Sequence, residues 1–371
     1  MEKKRYFPNL NGIRCIAAML VVFHHLEQAK HALGIANIYE LPIIQHAGRL
    51  GVGLFFVLSG FLITYLLLEE RGRFGDVDAK KFYLRRVFRI WPIYFLIIGL
   101  SFFVFPYIEL FSFPGTDEKI TVHAAERLTL LLLVLPNFAF VLYDLPYWCA
   151  QTWSIGVEEQ FYYLWPWLIK YPKKRIPIIL LFLGITAAIL FIGLHYVNVD
   201  EETRSTMIST FLGQFRIQTM ALGGLCAWLV YKQKTQILQV VFRKDLQIIV
   251  YTLLIALFVS GIHFYGFLEV YAIFFAFFIL NVSCNPNTIV SLNNAVMNHL
   301  GKISYGLYLY HVAVIVFIIN VLNKYLPDWT GTSYHIGLYL LTFIGSVAVA
   351  SLSYSYFEKP LLAYKDKRFG R

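Results

Sequence analysis

The sequence predicts an all-α protein, a polytopic transmembrane helix bundle of about ten crossings plus one short re-entrant or peripheral helix. Three observations predict it. Hydrophobic residues make up 58% of the chain and charged residues only 15%, and the mean hydropathy is +0.61, a balance outside the range of soluble globules. Apolar runs of membrane length recur along the chain. Its net charge of +10 is concentrated in short loops between those runs, where the positive-inside rule puts lysine and arginine, so it reads as topology and not as a nucleic-acid footprint.

Eleven apolar runs follow in order: 10–26, 50–68, 90–105, 128–143, 153–169, 176–196, 211–230, 246–264, 267–282, 303–322 and 335–357. Lys3, Lys4 and Arg5 place the N-terminus in the cytoplasm, and the loop from Arg71 to Arg89 returns there after two crossings. Lys359, Lys365, Lys367, Arg368 and Arg371 fix the C-terminal tail on the same side. The loops holding Lys170, Lys173, Lys174 and Arg175, and Lys232, Lys234, Arg243 and Lys244, then also fall inside. An odd number of crossings must join residue 105 to residue 170, so one of the two runs between them does not span. The 128–143 run is short and broken by Pro136, which makes it the re-entrant or peripheral one. Ten crossings with both termini cytoplasmic result, in a single membrane domain over 1–371 with no appended soluble domain. The apolar run behind the basic N-terminus lacks a small-residue cleavage site and is read as a retained helix. Cys15, Cys149, Cys226 and Cys284 are isolated and without CxxC spacing, and read as small core residues rather than metal ligands. No nucleotide-loop, dinucleotide, zincin or hydrolase-elbow motif occurs.

The first run carries Arg14 and His25, eleven residues apart. At about 100° per residue they share one helix face, about 16 Å apart along the axis. Ionisable groups inside a membrane segment face the bundle interior and are functional candidates. In the second run Gly51, Gly53, Ser59 and Gly60 permit close helix approach. Arg86 and Arg89 lie one turn apart ahead of the third crossing, where guanidinium forks suit phosphate groups as well as an anchoring role. Adjacent Glu158 and Glu159 point about 100° apart on the fifth run. Counted from helix ends, Glu158 lies about 18 Å deep and His25 about 21 Å, so the two can meet, and a carboxylate beside an imidazole makes a general base. His311, with Tyr308 one turn before it, forms a second inward polar stripe. Arg49 and Arg216, near outer helix ends, could bind an anionic sugar or lipid phosphate, or simply head groups.

Taken together, the run from Arg5 through Asn11 and Arg14 to His25, Phe55-Phe-Val-Leu-Ser59-Gly60, Arg86-Val-Phe-Arg89-Ile-Trp-Pro92, Trp153-Ser-Ile-Gly-Val-Glu158-Glu159, Ser304-Tyr-Gly-Leu-Tyr308-Leu-Tyr-His311 and Phe357-Glu-Lys-Pro360 resemble, in order and over nearly the whole chain, the acyltransferase-3 family of integral membrane O-acyltransferases. Asn11 stands where that family commonly has aspartate. The resemblance implies transfer of an acyl group, usually acetyl, from cytoplasmic acyl-coenzyme A to a hydroxyl of an envelope polysaccharide, lipopolysaccharide or related glycan, with acetyl-CoA as co-substrate and no permanently bound cofactor. It implies location in a bacterial inner membrane. Some members carry a fused hydrolase-like domain that passes the acetyl group onward; without one, direct transfer to the acceptor is expected. Under this reading Arg14, Arg86 and Arg89 hold the coenzyme A phosphates, His25 with Glu158 is catalytic, as base or as transient acyl carrier, and Ser59 or Tyr308 supports an oxyanion. A carrier or flippase for a lipid-linked sugar would use the same polar cavity without chemistry, but the internal symmetry of transporters is not evident. A scaffold subunit of a polysaccharide synthase is a third possibility. Only the enzyme consumes the thioester.

Overall fold

The computed structural model describes residues 7–171, 213–262, 264 and 266–369, and among these every regular element is helical. Numbered within that set, α1 is Leu10–Ala32, α2 Pro42–Phe74, α3 Ala79–Phe103, α4 Thr116–Thr121, α5 Ala124–Leu132, α6 Pro136–Tyr143 and α7 Trp153–Lys170. Then follow α8 Ile217–Tyr231, α9 Thr235–Val241, α10 Lys244–Ser260, α11 Phe267–Cys284, α12 Ala295–Lys302, α13 Ser304–Tyr325, α14 Gly331–Ser353 and α15 Lys359–Phe369.

Five helical stretches among the described residues are long and apolar enough to cross a membrane: Pro42–Phe74, Ala79–Tyr107, Phe267–Cys284, Ser304–Tyr325 and Gly331–Phe369. Ile217–Tyr231 is apolar but shorter. The expected run 176–196, the start of run 211–230, the basic residues Lys173, Lys174 and Arg175 and those of the N-terminus lie outside the described residues, and the count of ten crossings is not established. The 128–143 run folds as two helices, α5 of nine residues and α6 of eight, each far short of the roughly 20 residues a crossing needs. They break at Val134, which takes a positive φ of 59°, and Pro136 opens α6 where its missing N–H costs nothing. Arg127 fixes this segment by donating to the carbonyls of Lys119, Val122, Tyr143 and Asp144. Paired amides of Asn137 and Gln160, at 3.0 and 3.3 Å, then hold α6 against α7.

The long helix α2 is the axis of the bundle, packed by α1 on one side and α8 on another. Its approach to α8 is set by two glycines. A Cβ on Gly60 would overlap the backbone of Met220, and one on Gly223 would overlap the carbonyl of Val57; such reciprocal small-residue contact is how helices gain packing without a hydrophobic drive between them. The side chain of Asn9 anchors the start of α1, donating to the Val282 carbonyl at 2.7 Å and accepting the Leu292 N–H at 2.8 Å. Asp78 caps α3 by accepting the Lys81 N–H at 2.9 Å. That hydrogen bond, with the nearby Lys81 ammonium, holds its carboxyl below the usual range. The last long helix does not end at residue 357. It passes through a π-helical turn, Tyr354–Glu358, and continues as α15.

Candidate active site

Side chains from five helices line one cavity of about 860 Å³, its open mouth included. Arg14 enters from α1, Phe55 and Ser59 from α2, Arg86 and Arg89 from α3, Ser154, Glu158 and Tyr162 from α7, and Ser304, Tyr305 and Tyr308 from α13. Tyr305 also donates to the Ile90 carbonyl at 2.7 Å, pinning α13 to α3 beside Arg89. All three arginines line it. Arg14 donates to the Asn11 side chain at 3.2 Å. That neutral acceptor, in place of a carboxylate, leaves its charge uncompensated from that side. The Nε of Arg86 is buried without a hydrogen-bond partner, and its guanidinium lies 5.8 Å from the rings of both Phe82 and Tyr162, the distance of cation–π contact. Ser59 and Tyr162 share a 2.5 Å hydrogen bond on the facing wall. Glu159 and Glu358 each keep one buried carboxyl oxygen without a hydrogen-bond partner. The cavity therefore holds three guanidiniums beside the Glu158 carboxylate and several hydroxyls, an arrangement suited to a polyanion.

Beyond Tyr308 lies a histidine pair. His25 Nδ1 sits 2.9 Å from the Val21 carbonyl and 3.1 Å from His311 Nε2, and His311 Nδ1 sits 3.1 Å from the Leu307 carbonyl. Neither histidine is among the residues that line the cavity. Tyr308 stands between: its hydroxyl donates to the Gln151 carbonyl at 2.9 Å and meets the Ser154 hydroxyl at 2.6 Å, and its ring packs edge-on against Phe55 at 6.0 Å. The 3-10 turn Tyr147–Thr152 ahead of α7 grips both histidine-bearing helices. Gln151 donates to the Leu309 carbonyl at 2.7 Å, and Tyr147 reaches the His25 carbonyl at 3.4 Å.

The structure corrects several expectations. Glu158 does not meet His25. It shares the cavity with Arg14, while the hydrogen-bond partners of His25 are Val21 and His311. Counting depth from helix ends misplaced it because the ends are not flush. Arg14 lies four residues inside α1 and Glu158 twelve from the end of α7, yet both line one cavity. The hydroxyl hydrogen of Tyr308 is committed to Gln151, so Tyr308 is not an oxyanion donor in this arrangement. Arg49 and Arg216 do not enter the cavity: Arg49 is exposed on α2, and Arg216 is ion-paired with Glu269 at 2.5 Å and donates to the Gly213 carbonyl at 2.8 Å. Arg14, Arg86, Arg89, Ser59 and Glu158 do come together, as does His25 with His311. Sequence reasoning missed Tyr162 and Ser154, whereas Tyr305 belongs to the inward polar stripe it expected on α13. Tyr162 was signalled by its position one turn after Glu158. Among the described residues no cluster of His, Cys, Asp and Glu is arranged to hold a metal.

Three arginines thus share one cavity of the helical bundle, and two paired histidines lie outside its lining. The acyltransferase-3 family description, an acyltransferase domain, matches residues 7–351, and the chain belongs to that family. A candidate O-acetyltransferase of Staphylococcus aureus strain COL is 28% identical over 385 residues, 97% of this chain and 58% of that protein. The O-acetyltransferase OatA of S. aureus strain NCTC 8325 is 27% identical over 394 residues, 100% of this chain and 59% of its own length. The chain thus spans somewhat over half the length of these relatives. No solved structure matches it.

Proposed function

We propose that the protein is a membrane O-acyltransferase that moves an acetyl group from acetyl-coenzyme A to a hydroxyl of a cell-surface polysaccharide, lipopolysaccharide or related glycan. In this reading it sits in a bacterial inner membrane with both termini on the cytoplasmic side. The observation that carries the reading is the polarity of the site: a polyanion seat of Arg14, Arg86 and Arg89 leads along one helix face to a histidine about 16 Å away. The pantetheine arm of the donor is on the order of that length, so phosphates held by the guanidiniums put the thioester near Tyr308, one turn from His311.

Transfer then runs as follows. The acceptor hydroxyl attacks the thioester carbonyl while its proton passes to His25 Nε2. The new O–C bond forms, the C–S bond breaks, and the proton returns from His25 to the departing thiolate. Among the described residues nothing hydrogen-bonds His25 Nε2, which suits it to the incoming hydroxyl. Ser59 and Tyr162, sharing one hydrogen bond, line the donor's route. The named relatives, called O-acetyltransferases, favour acetyl and an oxygen acceptor.

The test uses inside-out membrane vesicles given labelled acetyl-CoA with native envelope glycan lipids. Wild type is expected to build base-labile label into carbohydrate, and His25→Ala to build none. Label in the glycan at equal rates with both forms removes His25 from the chemistry. No labelled glycan with wild type, together with glycan movement across the membrane, replaces transfer by transport.

A further inference from the structure

We infer that His311 is a positioning residue that fixes His25 in the tautomer a general base requires, an extension that rests on the transfer reading above. The assignment follows from donor and acceptor accounting. A backbone carbonyl can only accept, so His311 Nδ1, 3.1 Å from the Leu307 carbonyl, carries a hydrogen. A neutral His311 then presents a bare lone pair at Nε2. That lone pair faces His25 Nδ1 at 3.1 Å, and His25 Nδ1 also faces the Val21 carbonyl at 2.9 Å. Both neighbours accept, so the His25 ring hydrogen sits on Nδ1 and the lone pair on Nε2. This is the form that takes a proton from a hydroxyl. When His25 becomes an imidazolium, its Nδ1–H bond to His311 gains charge assistance. A neutral imidazole thus does here what a buried carboxylate does in hydrolytic triads, without placing a negative charge at mid-membrane.

His311 is 0% exposed, and its helix is held in register by the amide of Gln151, which donates to the Leu309 carbonyl at 2.7 Å. The same turn of chain reaches His25 through Tyr147. The two rings meet at 4.9 Å between centroids and 62° between planes, so a fixed scaffold joins them rather than a loose contact.

Two variants and two readouts test this. His311→Leu removes the lone pair; His311→Gln keeps an oxygen able to accept from His25 Nδ1. In protein labelled with nitrogen-15 histidine, the His25 signals are assigned by their loss in His25→Gln. Wild type and His311→Gln are expected to show a protonated Nδ1 and a bare Nε2, and His311→Leu a mixture of tautomers. With acetyl-CoA, kcat is expected to fall about 100-fold or more in His311→Leu, with a partial return in His311→Gln and a donor KM within about twofold of wild type. A His25 tautomer unchanged in His311→Leu would mean that Val21 alone fixes the ring and overturns the assignment, as would a kcat within about twofold of wild type. If wild type transfers nothing from acetyl-CoA, the proposed function falls, while the nitrogen spectra still decide the histidine pair.

Discussion

The three arginines of the cavity have separate surroundings. Arg14 rests on a neutral amide, whereas Arg86 keeps a buried Nε without a hydrogen-bond partner and stacks near two rings. A planar fork with an open Nε–H is matched to a phosphate in two-point contact, which an ammonium cannot copy. Arg86→Lys is therefore expected to raise the KM for acetyl-CoA about tenfold, near 1.4 kcal/mol, with kcat retained. Arg216→Ala, whose guanidinium is engaged by Glu269, is expected to leave the donor KM unchanged. Initial rates over a donor titration check both. Residues sharing the cavity were legible in the sequence wherever one helix carried the whole argument, as with Arg86 and Arg89, one turn apart on α3. Partners between helices were not. The His25 to Glu158 pairing failed because relative helix depth is set by where chains turn, and the His25 to His311 pairing joins residues 286 positions apart with no local signal.

At the level of elements, close packing of α2 against α8 sustains the site, because α2 also presents Phe55 and Ser59 to it. Gly223 faces the Val57 carbonyl across a gap that admits no Cβ. Gly223→Leu is expected to separate the helices and to destabilise the protein by about 3 kcal/mol, read as a lower temperature of inactivation in detergent. The small residues of run 50–68 announced such an approach, though not its partner: Ala221, Gly223, Gly224 and Ala227 in α8 carry the matching small residues, but nothing in the sequence pairs the two runs. The break in run 128–143 was legible through Pro136, whose ring cannot sit inside a helix without cost. The continuation of the last helix through a π turn was not, because nothing in Tyr354–Glu358 marks an extra residue per turn.

For the molecule as a whole, composition and the spacing of basic loops gave the class, and the family match over residues 7–351 agrees with it. The number of crossings stayed out of reach, since α1 and α7, which carry Arg14 and Glu158 into the cavity, are not among the stretches apolar enough to be assigned a crossing. Arginines and histidines on either side of Tyr308 would, if wetted, relay protons across a bilayer. The Tyr308 hydroxyl, engaged by Gln151 and Ser154, is expected to be the barrier on such a path. Tyr308→Ala is expected to short-circuit it: vesicles holding the variant should dissipate an imposed pH gradient faster than those with wild type, followed with a trapped pH-sensitive dye. Equal decay would mean that the barrier lies elsewhere.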